Sequence, residues 1–277
     1  MASEAPLLET ATLISREQVA PGFWCLGLRG PRIARSARSA GYVAIDVPGA
    51  FSVRLPLGIW TARNDEFSVL FREWGERTIR LSRLSVGTAL SCIGPLGNEF
   101  SIPAKGSNAL IVAGGIGIVP FWLLARDLRD AGVSIRAIVG ARTKAHLCGV
   151  AQLREAGVDV TLCTDDGSEG ERATVVELAK RMQPADIMYG CGPPAMLRAL
   201  CDVAKAARLP CEISMEETFG CSMGTCWGCV VPVRRGSLQG TGYPPAPRDS
   251  RGFDLARVCI DGTVFSASDV LWLEAYA

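Results

Sequence analysis

The segment "EFSVLFREW" sets Phe67, Val69 and Phe71 on one side of an extended chain, with Ser68 and Arg72 on the other. That period of two is the mark of a half-buried strand. "GFWCLGLRG" and "GYVAIDVPG" are short apolar runs bracketed by glycine or proline and also read as strands. No helical period stands out before Gly106. The N-terminal third is therefore predicted to be all-β, a small barrel or sandwich.

From about Lys105 the rhythm changes. "ALIVAG" reads as a buried strand and "VPFWLLARDLRDAG" as a helix, with Phe121, Leu124 and Leu128 on one face and Gly132 ending it. "SIRAIVGAR" is a strand, "HLCGVAQLREAG" a helix and "VDVTLCTDDG" a strand. "RATVVELAKRM" puts Val175, Leu178 and Met182 on one helical face. "ADIMYGCGPP" is a further strand, and "PAMLRALCDVAKAAR" a helix with Pro194 near its start. Strand and helix in alternation predict a parallel sheet with helices on its faces. After Pro210 the pattern gives way to glycine and cysteine, and residues 234–252, "RRGSLQGTGYPPAPRDSRG", read as an exposed loop. There is no internal repeat.

The 277 residues leave room for two or three domains, and 48% hydrophobic residues exclude wholesale disorder. With 29 basic and 28 acidic residues the formal net charge is +1, so nothing electrostatic points to nucleic acid or an anionic membrane. The N-terminus lacks a basic start followed by an apolar run, so no secretory signal is expected. The stretch from Gly106 to Ala125 carries no charge and imitates a membrane span. Its four glycines and Pro120 make it a strand, turn and helix instead, and no span is expected. Eleven cysteines are an odd number in a chain too large to need disulfide staples, which points to a reducing cytoplasm. Cys25, Cys92, Cys148, Cys163, Cys201 and Cys211 are scattered and read as small buried hydrophobes.

The remaining cysteines are organised. Cys221, Cys226 and Cys229 form C-x4-C-x2-C in "CSMGTCWGC", with Cys259 available as a fourth ligand. This is the plant-type [2Fe–2S] spacing. Gly220, Gly224 and Gly228 let the backbone turn sharply and aim amides at the sulfurs, which would raise a cluster's potential. Four-cysteine zinc sites more often show two close pairs. Zinc and reduced structural cysteines stay as the other readings. Trp227 lies inside the loop, as a shield from water or as simple packing. A two-iron cluster passes one electron at a time, so a donor or acceptor is expected elsewhere in the chain.

"LIVAGGIGIVPF" supplies one: a strand, then Gly114, Gly115 and Gly117, then a helix whose N-terminus favours a pyrophosphate. The spacing is not G-x-G-x-x-G, and a plain tight turn is the alternative. Cys191, Gly192 and Pro193 follow another strand at its C-terminal end, the ligand-binding edge of an open parallel sheet. Asp165 and Asp166 end a strand on the same edge, to meet ribose hydroxyls or to cap the next helix. His146 is the only histidine, beside a helix start, and reads as a surface or capping residue. No catalytic residue is predicted.

Taken in order, "GPLGNEF", "VAGGIGIVP", "GARTK", "TDDGS", "CGPPAML", "EETFGCSMGTCWGC" and "VCIDGTVFSASDVLW" resemble the electron-transfer subunit of the two-subunit, NAD-linked dihydroorotate dehydrogenases, within the ferredoxin-reductase superfamily. The resemblance runs from about residue 50 to the end. It implies three domains: an antiparallel β-barrel binding FAD (1–104), an α/β domain binding NAD(H) (105–211) and a small iron–sulfur domain (212–277). It also implies a hetero-oligomer with an FMN-containing catalytic subunit that oxidises dihydroorotate to orotate in pyrimidine biosynthesis. Carried over residue by residue, the flavin segments fall on Arg54, Pro56, Leu57 and Gly58, on Leu70, Phe71 and Arg72, and on Gly75 and Thr78. Cys191 falls near the nicotinamide. Three positions depart from the family pattern. Leu55 stands where the flavin signature has arginine, Gly58 where it has serine, and Arg77 where it has a glycine approaching the pyrophosphate. The gap between Cys229 and Cys259 is also longer than the family norm, and loop closure tolerates that. Two other readings stay open: a ferredoxin-reductase-like subunit of another redox complex, and an iron–sulfur relay or sensor that has lost flavin.

Overall fold

Residues 6–50, 53–182, 184–238 and 251–273 are described by the computed structural model. The first strand, β1 (Leu7–Ala20), is long enough to pair along one edge with β2 (Phe23–Arg29) and along the other with β6 (Ala89–Leu96). Between them lie β3 (Tyr42–Ile45), β4 (Leu55–Arg63) and β5 (Glu66–Arg72), and the strands close into an antiparallel barrel in the order β1-β2-β5-β4-β3-β6. Closure removes the open edges that a sheet must otherwise protect. Of the two architectures the strand pattern allowed, the barrel is the one observed.

Two short helices interrupt this region, against the expectation of an all-β start: α1 (Pro31–Arg35) and α2 (Glu76–Ser82). Each is at most two turns, too short to write a helical period into the sequence. Phe67, Val69 and Phe71 are buried as predicted, but Ser68 and Leu70 are buried too. The strand is covered on both faces.

The parallel sheet follows. Its strands are β7 (Asn108–Gly114), β8 (Ser134–Ala141), β9 (Asp159–Thr164), the short β10 (Glu171–Arg172) and β11 (Ile187–Cys191). The helices are α3 (Phe121–Asp130), α4 (Val150–Glu155), α5 (Val175–Arg181) and α6 (Pro194–Ala207). Gly132 follows α3 with φ +72°, which only glycine adopts without strain. Helix α5 begins at a capping box in which Thr174 and Glu177 each accept from the other's backbone N–H. The uncharged stretch from Gly106 becomes β7, a 3-10 turn and α3. Among the described residues no helix is long and apolar enough to cross a membrane.

The pattern that dissolved after Pro210 resumes in the structure. β12 (Cys211–Ser214) pairs parallel to β11. A hairpin of β13 (Val230–Arg234) and β14 (Phe253–Arg257) leads into α7 (Val258–Asp261), and β15 (Val264–Ser266) returns antiparallel to β12. The sheet order is β10-β9-β8-β7-β11-β12-β15. The central sheet thus continues past residue 211 and takes its edge strand from the C-terminal segment. Of the 234–252 loop, residues 239–250 lie outside the described residues.

β3 explains how the units meet. Val43 and Ile45 point into the barrel core. Tyr42 and Ala44, on the opposite face, join a second core with Phe219, Cys229, Val231 and Cys259. An unbroken apolar run is what a strand buried on both faces requires. Asn98 adds a polar stitch: its Nδ2 donates to the Val264 carbonyl at 2.8 Å, and its Oδ1 accepts from the Val264 N–H at 2.7 Å.

Candidate functional site

A cavity of about 360 Å³ opens where barrel, sheet and C-terminal segment converge. Pro56, Leu57 and Gly58 of β4 and Leu70, Phe71 and Arg72 of β5 form its barrel side, with Thr78 from α2. Cys191 reaches it from the end of β11. Eight of the residues singled out in the sequence are therefore gathered around one space.

Arg54 is not among them. Its guanidinium is committed to Ser91, donating to the carbonyl at 2.6 Å and to Oγ at 3.0 Å. Arg77 donates to the carbonyls of Val53 and Arg54 and so ties down the chain entering β4. Neither lines the cavity; the guanidinium that does belongs to Arg72, which also lies over the Trp74 ring at 5.6 Å. Gly75 is outside the cavity lining as well: it is the residue before α2, with φ +133°. The absent serine at position 58 has a packing reason. A Cβ on Gly58 would stand 2.7 Å from Cγ1 of Val119, so Val119 fills the space a larger residue would need.

The glycine turn and the "CGP" turn lie against each other. A Cβ on Gly117 would run into the Cys191 carbonyl and stand 2.7 Å from the Gly192 nitrogen. One on Gly114 would meet Pro193 Cδ at 3.1 Å. Glycine here lets two loops at the C-terminal edge of neighbouring strands touch backbone to backbone, at the edge where open parallel sheets take their ligands. Gly115 needs its φ of +57° to make the turn. Asp165 follows β9 on the same edge, its N–H donating to the Ala141 carbonyl. Asp166 holds the Ser168 hydroxyl at 2.6 Å, and that bond lowers its carboxyl below the usual range. Thr174, not either aspartate, caps the next helix. His146 closes a single 3-10 turn (Lys144–His146), its Nδ1 2.8 Å from Thr143 Oγ1; the turn has no side-chain cap, so the capping role expected for His146 is not seen.

Cys191 is 1% exposed. Burial pushes its thiol well above the ordinary value, and the neighbouring Glu216 carboxylate adds to the shift. Glu216 and Glu217 also border the cavity. Both keep accessible surface, yet protein crowds them enough that desolvation raises both carboxyl groups. Sequence reasoning passed over these glutamates and Tyr42, Trp74 and Phe219, which also line the cavity. "EETFGC" signals Gly220 and Cys221 but carries no pattern that marks its glutamates. "GYVAI" was read only as a strand, although its lack of polar alternation signalled a covered outer face.

The four organised thiols stand close behind. The Cys221 sulfur accepts N–H groups from Met223 at 3.4 Å, Thr225 at 3.3 Å and Cys226 at 3.4 Å. The Cys226 sulfur accepts from Gly228 at 3.5 Å. Burial opposes ionisation of Cys221, but hydrogen bonds from Thr225, Met223 and Cys226 outweigh it and hold the thiol down to about 6. Cys229 and Cys259 titrate as a pair: the neighbouring thiol lowers Cys229 to about 7 and raises Cys259. Among the described residues no group of three or more His, Cys, Asp or Glu is already drawn together as a metal site. The donor set nevertheless suits a thiolate-bound cluster: backbone amides are aimed at the sulfurs of Cys221 and Cys226, as such ligands require. Ser222 and Trp227 adopt positive φ of +57° and +58°, uncommon for residues other than glycine. Arg257 fixes that geometry. Its guanidinium lies 4.6 Å over the Trp227 ring, donates to the Gly224 carbonyl and pairs with Asp261 at 3.0 Å, with both side chains at most 4% exposed.

No family model matches the chain. Comparison with solved structures defines the fold class. An NADH-dependent reduced ferredoxin–NADP oxidoreductase, described for flavin-based electron bifurcation, superposes with a TM-score of 0.79 over 95% of this chain and 90% of its own, at 24% identity. The ferredoxin reductase of carbazole 1,9a-dioxygenase superposes with a TM-score of 0.64 over 74% and 67%, at 17% identity. The fold is that of the ferredoxin reductases. Sequence comparison narrows the class. The dihydroorotate dehydrogenase B (NAD(+)) electron transfer subunit of Caldanaerobacter subterraneus subsp. tengcongensis is 33% identical over 232 residues, spanning 83% of this chain and 86% of that one. Its counterpart in Streptococcus mutans serotype c is 31% identical over 271 residues, spanning 96% and 98%. The chain belongs to the family of dihydroorotate dehydrogenase B electron transfer subunits.

Proposed function

We propose that this chain carries electrons between NAD(H) and a separate FMN-containing catalytic subunit, in the oxidation of dihydroorotate to orotate, through FAD and a [2Fe–2S] cluster. One observation carries the reading. A single cavity joins the barrel segments at 56–58 and 70–72 to Cys191 at the nucleotide edge of the sheet, and the amide-rich thiol loop packs behind it. When bound, the cluster passes single electrons and the flavin converts them to the pair that nicotinamide takes as hydride.

The chain's own residues have definable tasks. Pro56, Leu57, Gly58, Leu70 and Phe71 offer an apolar wall for a flat ring, and Arg72 places a cation beside it. Gly114, Gly115 and Gly117 bring backbone close to a pyrophosphate, with Gly192 and Pro193 opposite and Asp165 further along the edge for a ribose. Cys191 shields the inner end of the cavity as a neutral thiol. Cys221, Cys226, Cys229 and Cys259 hold the cluster, and the exposed Met223 and Cys226 mark the side facing a partner. All eleven cysteines are free, which supports placing the protein in the reducing cytoplasm.

Anaerobically purified protein tests this by its spectrum and by titration with NADH. Flavin and iron–sulfur absorbance that both bleach on NADH addition is the expected result. Colourless, zinc-containing protein overturns it. A relay lacking flavin draws support from Arg54 and Arg77 being engaged elsewhere; iron and sulfide without flavin would select it.

A further inference from the structure

Tyr42 belongs to both sites at once. Its ring lines the cavity. Its hydroxyl lies 3.0 Å from the carbonyl of Cys259 and 3.2 Å from that of Ser222. Those carbonyls come from the two separate stretches that carry the four thiols: Ser222 follows Cys221, and Cys259 is itself a proposed ligand. Tyr42 is 4% exposed. Phe219, another residue of the cavity wall, packs against it with ring centroids 5.2 Å apart and planes 53° apart. The next turn of chain is pinned as well, since Thr263 Oγ1 donates to the Ala40 carbonyl at 2.9 Å.

We propose that Tyr42 is a positioning residue that couples occupation of the ring cavity to the geometry of the thiol set. The inference rests on the reading of the two cofactor sites given above. A phenol is rigid from Cβ to oxygen. Anchored on β3 and packed against Phe219, it cannot tilt at its ring without moving its hydroxyl. A flat ligand pressed into the cavity bears on the ring. The displacement is delivered to the peptide carbonyl of Cys259 and to the loop that follows Cys221. Hydrogen bonding around a cluster's ligands is one of the means by which protein sets its electronic structure, so the cluster registers whether the cavity is filled.

The test uses the full chain, loaded anaerobically with iron and sulfide, reduced with dithionite, and examined by electron paramagnetic resonance before and after adding FAD. In the wild type, FAD shifts the g-values of the reduced cluster. Tyr42→Phe keeps the ring and removes the hydroxyl. It takes up iron and FAD as the wild type does, and the FAD-induced shift is lost. A purely structural role for Tyr42 would change stability or loading and leave that shift in place. The coupling is overturned if Tyr42→Phe retains the full shift. It is overturned without recourse to any variant if the wild type binds both groups and FAD leaves its g-values unchanged. Protein that takes up no iron, or no FAD, defeats the functional reading itself and this inference with it.

Discussion

Removing the carboxylate of Asp261 is the sharpest perturbation the cysteine segment offers. Asp261 Oδ2 accepts from the Arg257 N–H at 2.8 Å and from Nε at 3.0 Å, and Oδ1 accepts from Nη2 at 3.3 Å. The side chains are 3% and 4% exposed. Asp261→Ala strips a buried guanidinium of this carboxylate. Breaking a buried pair from one side costs about 3–5 kcal/mol, because the guanidinium loses a buried carboxylate that solvent cannot replace. For a chain of this size each kcal/mol moves the melting temperature by about 2–4 °C. The metal-free variant should therefore melt roughly 6–20 °C below wild type. Replacing both partners, as Arg257→Met with Asp261→Leu, removes the buried charges together and should recover most of that loss. Thermal melts followed by circular dichroism give the comparison. Iron content after anaerobic loading gives a second readout, since the pair flanks Cys259 and holds the loop at Gly224 and Trp227. An Asp261→Ala protein within about 1 kcal/mol of wild type would refute the reasoning, as would a double variant no better than the single one.

Gly58→Ser, which restores the family residue, should destabilise the protein by about 1–3 kcal/mol through contact with Val119, and Val119→Ala should relieve it; urea midpoints of the two variants decide this. Cys191 should resist alkylation at pH 8 in the folded protein and react once it unfolds, as mass spectrometry of the labelled chain would show. Burial also raises Cys92 to about 12. The folded state thus keeps both thiols neutral while the unfolded chain ionises them near pH 8.5, so stability of the metal-free protein should fall as pH climbs above that value, and urea midpoints that stay flat or rise would contradict it. Thr174→Ala should cost about 0.5–2 kcal/mol by removing the side-chain half of the α5 capping box, measured by the same denaturation.

Much of this architecture could be read from the chain before folding because it rests on local periodicity. The alternation in β5 and the apolar faces of α3, α5 and α6 each declare themselves within a dozen residues or so. Pro194 at the start of α6 and Gly132 after α3 mark ends that the structure keeps. The cysteine spacing is equally local. What stayed hidden depends on distant parts meeting. α1 and α2 are too short to carry a period. β12 and β15 are four and three residues long and make sense only as edge strands of a sheet laid down earlier. Gly58 departs from its family residue because of Val119, 61 positions away in sequence. The engagement of Arg54 by Ser91, 37 residues away, and of Arg77 by the carbonyls of Val53 and Arg54 likewise joins parts that no local pattern connects. Tyr42 could not be recognised from its own neighbours, since its partners are 180 and 217 residues away.

The account depends most on the four thiols at Cys221, Cys226, Cys229 and Cys259 acting together. The most direct measurement is metal and sulfide analysis of anaerobically loaded protein, with electron paramagnetic resonance after dithionite reduction, on wild type and on Cys259→Ser. Two irons and two sulfides per chain, with a rhombic signal in the wild type that Cys259→Ser alters or abolishes, is the predicted result. A signal indifferent to Cys259, or tight binding of zinc with no iron retained, would contradict it.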